Sequence, residues 1–168
     1  MSLNNKDIEL VDILFFPSLD NRKKFMDFLN TATTSILLHI FSTSVSIFGV
    51  FMENDEIAKT LLGLVNKGVK IQIITDNICF GNSDGRIHNL STFCDVIYLD
   101  NDFSINERYA IIDDTYFLSG SFDWVHQSFD KKYQDIHILK SEQFVSLYKS
   151  YFFNIWNINQ RFLVPKIQ

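Results

Sequence analysis

Short apolar runs alternate along the chain with longer segments in which apolar residues recur every three or four positions. The first pattern is typical of buried strands, and the second is typical of helices that pack on one face. The pattern predicts strands at Val11–Phe16, Ser35–Phe41, Val69–Thr75, Asp95–Leu99 and Asp135–Leu139. It predicts helices over about residues 19–31, 55–67, 85–91 and 141–159.

Residues with strong local preferences mark the ends of these elements. Ser18 is a suitable N-cap for the first helix, and Gly68 suits the left-handed position after the second. Residues 109–119 predict a β-hairpin with its turn at 113–115. Because strands alternate with helices, we expect an α/β fold with a mixed, largely parallel sheet and helices on both faces. The hairpin adds an antiparallel part to that sheet.

Length and composition favour one folded domain over residues 1–168. The chain has 168 residues, of which 46% are hydrophobic, and this share excludes a disordered or repetitive chain. A formal net charge of -5 argues against a general binder of polyanions. There is no uninterrupted apolar segment of about 18 residues and no secretory signal. We therefore expect a cytoplasmic protein without a transmembrane segment.

The two cysteines, Cys79 and Cys94, predict no special chemistry. Their spacing matches neither a disulfide framework nor a structural zinc site. We expect reduced, buried thiols, and neither a metal nor another cofactor.

The four histidines are not obvious catalysts. His39 lies in an apolar run, where a core imidazole with satisfied hydrogen bonds is the usual finding. His88 and His137 are predicted to be surface or strand residues. His126 is close enough in sequence to the polar segment described next to approach a cleft there.

Polar residues collect around the predicted hairpin, within residues 104–124. Asn106 and Arg108 are two positions apart, so both point to one face of an extended chain and Glu107 points to the other. Asp113 lies in the hairpin turn, and a Gly-Ser-Phe-Asp-Trp sequence closes the segment. Functional groups of α/β folds collect at strand ends and adjoining loops, so this segment is the candidate site.

This segment resembles the signature of the phospholipase D superfamily, His-x-Lys-x4-Asp followed closely by Gly-Ser-x-Asn-Trp. It is most similar to the branch with one such motif per chain, the Nuc-type and Zucchini (MitoPLD) nucleases. The likeness covers about residues 12–157. It includes the sequences ILFFPS, SILLHIFS, KGVKIQIITDN and the final NIW, in that order.

The resemblance implies a fold, a mechanism and an assembly. Two motifs, one from each subunit of a homodimer, would meet across a twofold axis. One histidine would attack the phosphodiester and form a phosphohistidine, and the other would protonate the leaving oxygen. Lysine and asparagine side chains would hold the non-bridging oxygens, with serine assisting and no metal required.

Three positions depart from the family's pattern. Asn106 stands where the resemblance expects the nucleophilic histidine, and an amide nitrogen is neither nucleophilic nor basic near pH 7. Arg108 replaces the lysine but keeps a cation suited to phosphate. Asp123 replaces the asparagine and places a negative charge where phosphate oxygens would lie. The matching residues are Asp113, Gly120, Ser121 and Trp124.

These substitutions predict a remnant of a phosphate site, made of Arg108, Ser121 and Asp123. Opposite charges that face one another should pair, so we expect an Arg108–Asp123 ion pair that closes the site. An asparagine introduced by engineering at position 106 is the alternative, but it leaves Arg108 and Asp123 unexplained.

Two further segments are candidates for binding. The apolar stretch Ser42–Met52 is expected either to pack under a loop or to form a partner or dimer surface. Lys131 and Lys132 are expected to be solvated charges, with contact to a nucleic-acid backbone as the functional alternative.

Together these features predict a catalytically inactive phospholipase D-like protein. It would form a homodimer and act by binding a protein or a nucleic acid. The alternative is an active phosphodiesterase on single-stranded nucleic acid, with another residue recruited as the nucleophile. A phospholipid head-group binder is the third hypothesis.

Overall fold

The structure is a computed structural model that describes residues 7–40, 56–76, 91–99, 105–124, 126–164 and 166. The strands are β1 Glu9–Phe16, β2 Ser35–His39, β3 Lys70–Asp76, β4 Asp95–Leu99, β5 Tyr109–Ile112, β6 Tyr116–Gly120 and β7 Gln134–Lys140. The α-helices are α1 Leu19–Leu29, α2 Glu56–Asn66 and α3 Glu142–Ile158. Short 3-10 segments lie at His126–Phe129 and Gln160–Phe162.

The predicted end signals act as expected. The Ser18 side chain accepts a hydrogen bond from the Asn21 main-chain N–H, which satisfies one of the free donors at the start of α1. Ser141, which was predicted to be the first residue of the last helix, instead caps α3 in the same way, through Phe144 N–H. Gly68 follows α2 with φ +94°, a conformation that costs glycine little.

The strands form one mixed sheet in the order β1-β7-β6-β5-β2-β3-β4. Two neighbouring pairs, β2–β3 and β3–β4, are parallel, and the other four are antiparallel. The α/β class is confirmed, but the prediction of a largely parallel sheet is wrong. Parallel neighbours need a long crossover connection. The β5–β6 hairpin has a short turn instead, and β7 pairs antiparallel with both β6 and β1.

Helices cover both faces of the sheet, as predicted. Phe25 of α1 and Leu61 of α2 belong to the apolar core on one face, and Phe152 and Trp156 of α3 belong to the core on the other. The first core contains a group of aromatic rings in mutual contact: Phe16, Phe25, Phe122, Trp124 and Phe129. Because Phe122 and Trp124 flank Asp123, this group anchors the closing part of the motif.

Some predictions fall outside the described residues. These are the apolar stretch Ser42–Met52, most of the short helix at 85–91, Cys79 and His88. Cys94 is buried, and burial raises the pKa of its thiol, as expected of a core cysteine. Within the ranges that the structure describes, no helix has the length and apolar character needed to cross a membrane.

Candidate functional site

The motif residues lie at the two opposite ends of the β5–β6 hairpin. Tyr109 pairs with Ser119 and Ile112 pairs with Tyr116, so the chain before Tyr109 meets the chain after Ser119. Arg108 and the residues that follow Gly120 therefore lie together at one end of the hairpin. Asp113 lies in the turn at the opposite end.

Asp113 joins the hairpin turn to the start of β2. Its carboxylate accepts hydrogen bonds from the main-chain N–H groups of Thr33, Thr34 and Ser35 and from both threonine hydroxyls, at 2.8 to 3.0 Å. Burial opposes ionisation, but these donors outweigh it and lower the pKa of Asp113 to about 2. Asp113 therefore positions the hairpin and is remote from Arg108.

The predicted ion pair between Arg108 and Asp123 is present. Arg108 Nε lies 2.8 Å from Asp123 Oδ1, and the Asp123 residue is buried. Arg108 extends from the chain just before β5, and Asp123 follows β6, so the hairpin register brings the two together. The pairing of an arginine with a buried carboxylate satisfies a charge that would otherwise be costly to bury.

Two further residues complete the shell around Asp123: Lys132, expected to be a solvated charge or a nucleic-acid contact, and Gln134, which sequence reasoning did not single out. Lys132 Nζ lies 2.6 Å from Asp123 Oδ2, and Gln134 Nε2 donates to the same oxygen at 2.8 Å. Burial alone would raise the pKa of Asp123. The hydrogen bonds from Lys132 and Gln134 and the charges of Arg108 and Lys132 outweigh burial, so the pKa lies below its usual value. Asp123 is therefore an ionised carboxylate held by three side chains.

This arrangement leaves little room beside the arginine. The depression lined by Arg108, Ser119, Gly120 and Trp124 is too small to hold a water molecule. A phosphate group that bound Arg108 would compete with the Asp123 carboxylate for the same guanidinium. The site is chemically an internal carboxylate bound by cations.

Ser121 belongs to a neighbouring pair and does not face Asp123. Its hydroxyl is hydrogen-bonded to the Asp135 carboxylate, and the Asp135 main-chain N–H donates back to Ser121 Oγ at 3.0 Å. His137 Nε2 lies 3.0 Å from the second oxygen of Asp135. Of the predicted phosphate-site remnant, Arg108 and Asp123 are in contact, whereas Ser121 is bonded to Asp135.

Asn106 is exposed, and its neighbour Glu107 points to the α3 face. There Glu107 Oε2 lies 3.1 Å from His39 Nδ1, and Glu107 accepts a hydrogen bond from the Tyr151 hydroxyl at 3.3 Å.

His39 is buried, as predicted, and burial lowers its pKa to about 4. The prediction that the His39 ring has satisfied hydrogen bonds is wrong. Among the residues that the structure describes, neither ring nitrogen makes a hydrogen bond of good geometry. His137 lies in β7, as predicted, and is partly exposed.

In a comparison with known protein families, residues 25–156 match the family described as "Cardiolipin synthase, PLD-like domain". The chain therefore belongs to this phospholipase D-like family. It is also 25% identical over 136 residues to a mitochondrial cardiolipin hydrolase of Chlamydomonas reinhardtii. That match covers 80% of this chain but 57% of the relative, so the chain spans little more than half of the relative's length.

Two solved structures share the fold over nearly their whole length. Nuc from Salmonella typhimurium, a phospholipase D family member, has a TM-score of 0.69 at 15% identity, covering 89% of this chain and 95% of its own. NucT from Helicobacter pylori has a TM-score of 0.70 at 20% identity, covering 94% and 98%. The predicted resemblance to the single-motif branch is confirmed, and the fold is phospholipase D-like.

Proposed function

We propose that this chain is a phospholipase D-like protein that does not hydrolyse phosphodiesters and acts by binding. The observation that carries this proposal is the state of the candidate site. Asn106 stands in the nucleophile position, and Asp123 is ionised and held by Arg108, Lys132 and Gln134. A site of this kind lacks the attacking atom and presents an anion to the incoming phosphate.

The chemistry of the side chains supports inactivity at both steps. The lone pair of the Asn106 amide nitrogen is delocalised into the carbonyl and does not attack phosphorus, so no covalent phosphoenzyme forms there. The loss of a nucleophile typically lowers the rate by several powers of ten. The negative charge of Asp123 repels a phosphodiester at the position where the family's mechanism requires stabilisation of oxygen charge.

His39 is a poor replacement nucleophile. Its side chain is 2% exposed, lies among Tyr109 and Tyr151 rings and points to the face opposite Arg108. A diester would have to enter the core beneath α3 to reach it. The hypothesis of an active enzyme with a recruited histidine therefore gains no support from His39.

The proposal includes assembly and partners. In keeping with the family's single-motif branch, we propose a homodimer that works in a reducing, cytoplasm-type compartment and binds a protein or a nucleic acid. Lys132 is tied to Asp123, and Lys131 is exposed beside it. Both lysines are candidates for contact with a ligand. A phospholipid head group is the less favoured ligand, because the sequence shows no basic amphipathic segment of the kind that binds a membrane surface.

The experiment compares the unaltered chain with an Asn106→His, Asp123→Asn double variant. Hydrolysis of bis(p-nitrophenyl) phosphate and of a labelled single-stranded oligonucleotide is measured without added metal. We expect no turnover and no acid-labile phosphoprotein from the unaltered chain, and a measurable rate from the variant. An Asn106→Gln, Asp123→Asn variant is the matched control, because it restores the asparagine but not the imidazole. Steady turnover by the purified unaltered chain contradicts the proposal.

A further inference from the structure

A second site lies where β1 ends and β7 begins. An open pocket of about 280 Å3 is lined there by Phe15, Phe16, Tyr133, Gln134 and Asp135. Phe16 is buried and forms the floor, whereas Phe15 is 61% exposed and Tyr133 is 95% exposed. Two exposed aromatic side chains that line the same pocket make it a candidate for recognition.

The pocket also carries a fixed negative charge. Phe15 is paired with Asp135 across β1 and β7, which places the carboxylate beside the ring. The hydrogen bond from Ser121 lowers the pKa of Asp135 and outweighs its partial burial, so the carboxylate is ionised at neutral pH. His137 lies on one side of it, at 3.0 Å.

Some charged residues close to the pocket in sequence are already paired. Lys132 is bound to Asp123, and Asp130 lies 3.5 Å from Arg22. Lys131 is exposed next to Tyr133 and opposes a cationic ligand. The chain as a whole has a net charge of -5, which favours a basic partner.

Two exposed rings and a carboxylate are the groups that bind a guanidinium. Arginine stacks on aromatic faces and donates charge-assisted hydrogen bonds to carboxylates. Because the Ser121 main-chain N–H and hydroxyl occupy Asp135 Oδ1, the guanidinium would bind Oδ2, beside His137. The pocket volume is just below the roughly 300 Å3 at which small-molecule sites begin. A pocket of this size suits a single planar group such as a guanidinium and is too small for a helix. We propose that this pocket binds an arginine side chain of a basic partner protein.

The main chain of β1 directs the partner to the pocket rather than to the strand edge. The Ile13 N–H donates to the Asp12 carboxylate at 2.8 Å, and Asn21 Nδ2 donates to the Phe15 carbonyl at 2.9 Å. These contacts occupy main-chain groups that an added strand would need. Recognition through side chains is therefore favoured over strand addition.

The inference goes beyond the proposed function and does not rest on it, because an arginine pocket is compatible with either catalytic state. It is tested with a fluorescent Gly-Arg-Gly-Arg-Gly peptide and its citrulline counterpart, which keeps the shape but loses the charge. Fluorescence polarisation at low salt measures both dissociation constants. We expect the citrulline peptide to bind about tenfold more weakly or worse, because hydrogen bonds to charged groups are the strong ones.

Variants of Tyr133 test the ring without disturbing the fold, since this side chain is almost wholly exposed. Tyr133→Leu should weaken binding of the arginine peptide about two- to fivefold, whereas the matched Tyr133→Phe should bind as the unaltered chain does. Asp135→Asn should weaken it by about tenfold. Thermal melting of each variant separates loss of the pocket from loss of folding.

Lys131→Ala distinguishes the cationic ligand from a nucleic acid. Removal of this charge should strengthen binding of the arginine peptide, but would weaken binding of a decathymidine oligonucleotide. The proposal is overturned if the two peptides bind equally or if Tyr133→Leu and Tyr133→Phe behave alike. It is also overturned if Tyr133→Leu weakens binding of the oligonucleotide and not of the arginine peptide. A third contradicting result is that Tyr133→Leu dissociates a homodimer in a sedimentation experiment.

Discussion

Arg108 Nε lies 2.8 Å from Asp123 Oδ1, across the open end of a hairpin that separates these residues by fifteen positions. The same carboxylate receives Lys132 and Gln134 on its other oxygen. An asparagine in place of Asp123 could not neutralise two cations. The Asp123 carboxylate therefore holds the end of the hairpin to the start of β7.

The first prediction concerns the Asp123 carboxylate. Asp123→Asn should lower the free energy of unfolding at pH 7 by about 1–3 kcal/mol, because Arg108 and Lys132 would face each other without their shared anion. Urea denaturation followed by tryptophan fluorescence measures the change.

Lys132→Met provides the matched control for this prediction. The lysine side chain is 47% exposed, so loss of its ion pair should cost less than about 1 kcal/mol. Equal losses for the two variants would show that Asp123 has no special role in holding the site.

The second prediction concerns Asp113, whose carboxylate binds three main-chain N–H groups and two hydroxyls at the start of β2. Asp113→Asn should destabilise the fold at pH 7 by about 1–2 kcal/mol, after allowance for partial solvent screening. Asp114→Asn, one residue further in the same turn, is the control and should change stability by less than about 0.5 kcal/mol.

The pH dependence gives an independent check on Asp113. Its pKa falls from 3.8 to about 2 on folding, so the unfolded chain binds the proton more readily. The stabilisation is complete above about pH 4 and is lost as the pH falls toward 2. Urea denaturation at pH 5 and pH 2.5 should therefore show a smaller acid loss for Asp113→Asn than for the unaltered chain; parallel losses would contradict the assignment.

Sequence patterns predicted much of the fold because it depends on local chemistry. The Ser18 cap, the hairpin around Asp113 and the Gly68 turn each follow from a few neighbouring residues. The balance of parallel and antiparallel pairs was not predictable in this way. It depends on β7 lying between β6 and β1, which is a contact between distant segments.

The candidate site shows the same division. The Arg108–Asp123 pair was predictable because the motif spacing identified both positions and their charges are opposite. Gln134 was missed, and Lys132 was expected only as a solvated charge or a nucleic-acid contact, because both reach Asp123 only when β7 begins beside the end of β6. The one available signal was the run of polar residues just before the predicted β7 strand.

The third prediction concerns His39, which is buried with a pKa of about 4. The unfolded chain takes up a proton near pH 6.5 and the folded chain does not, so stability should fall as the pH drops from 7 toward 4. Between pH 7 and pH 5 the loss should be about 2 kcal/mol.

His39→Phe removes the titrating group and keeps an aromatic ring beside Tyr109 and Tyr151. Guanidinium denaturation at pH 7 and pH 5 should show this variant losing about 2 kcal/mol less than the unaltered chain over that interval. If both proteins lose the same amount, His39 does not titrate in the way its burial requires.

The last prediction concerns Gly120, the residue that turns the chain from β6 into the Ser121–Asp123 segment. Its φ of +152° and the Asp135 carbonyl beside it leave no space for a side chain, and an added Cβ would overlap the Asp135 carbonyl oxygen. Gly120→Ala should therefore cost about 3 kcal/mol or more and separate Ser121 from Asp135. Gly63→Ala, in α2, should instead stabilise the chain by about 0.5–1 kcal/mol, because the added Cβ would meet no atom within 4 Å beyond the neighbouring backbone of its own helix. Thermal unfolding of the two variants side by side measures both effects, and a Gly120→Ala protein as stable as the unaltered chain would show that β6 and β7 can separate here without loss.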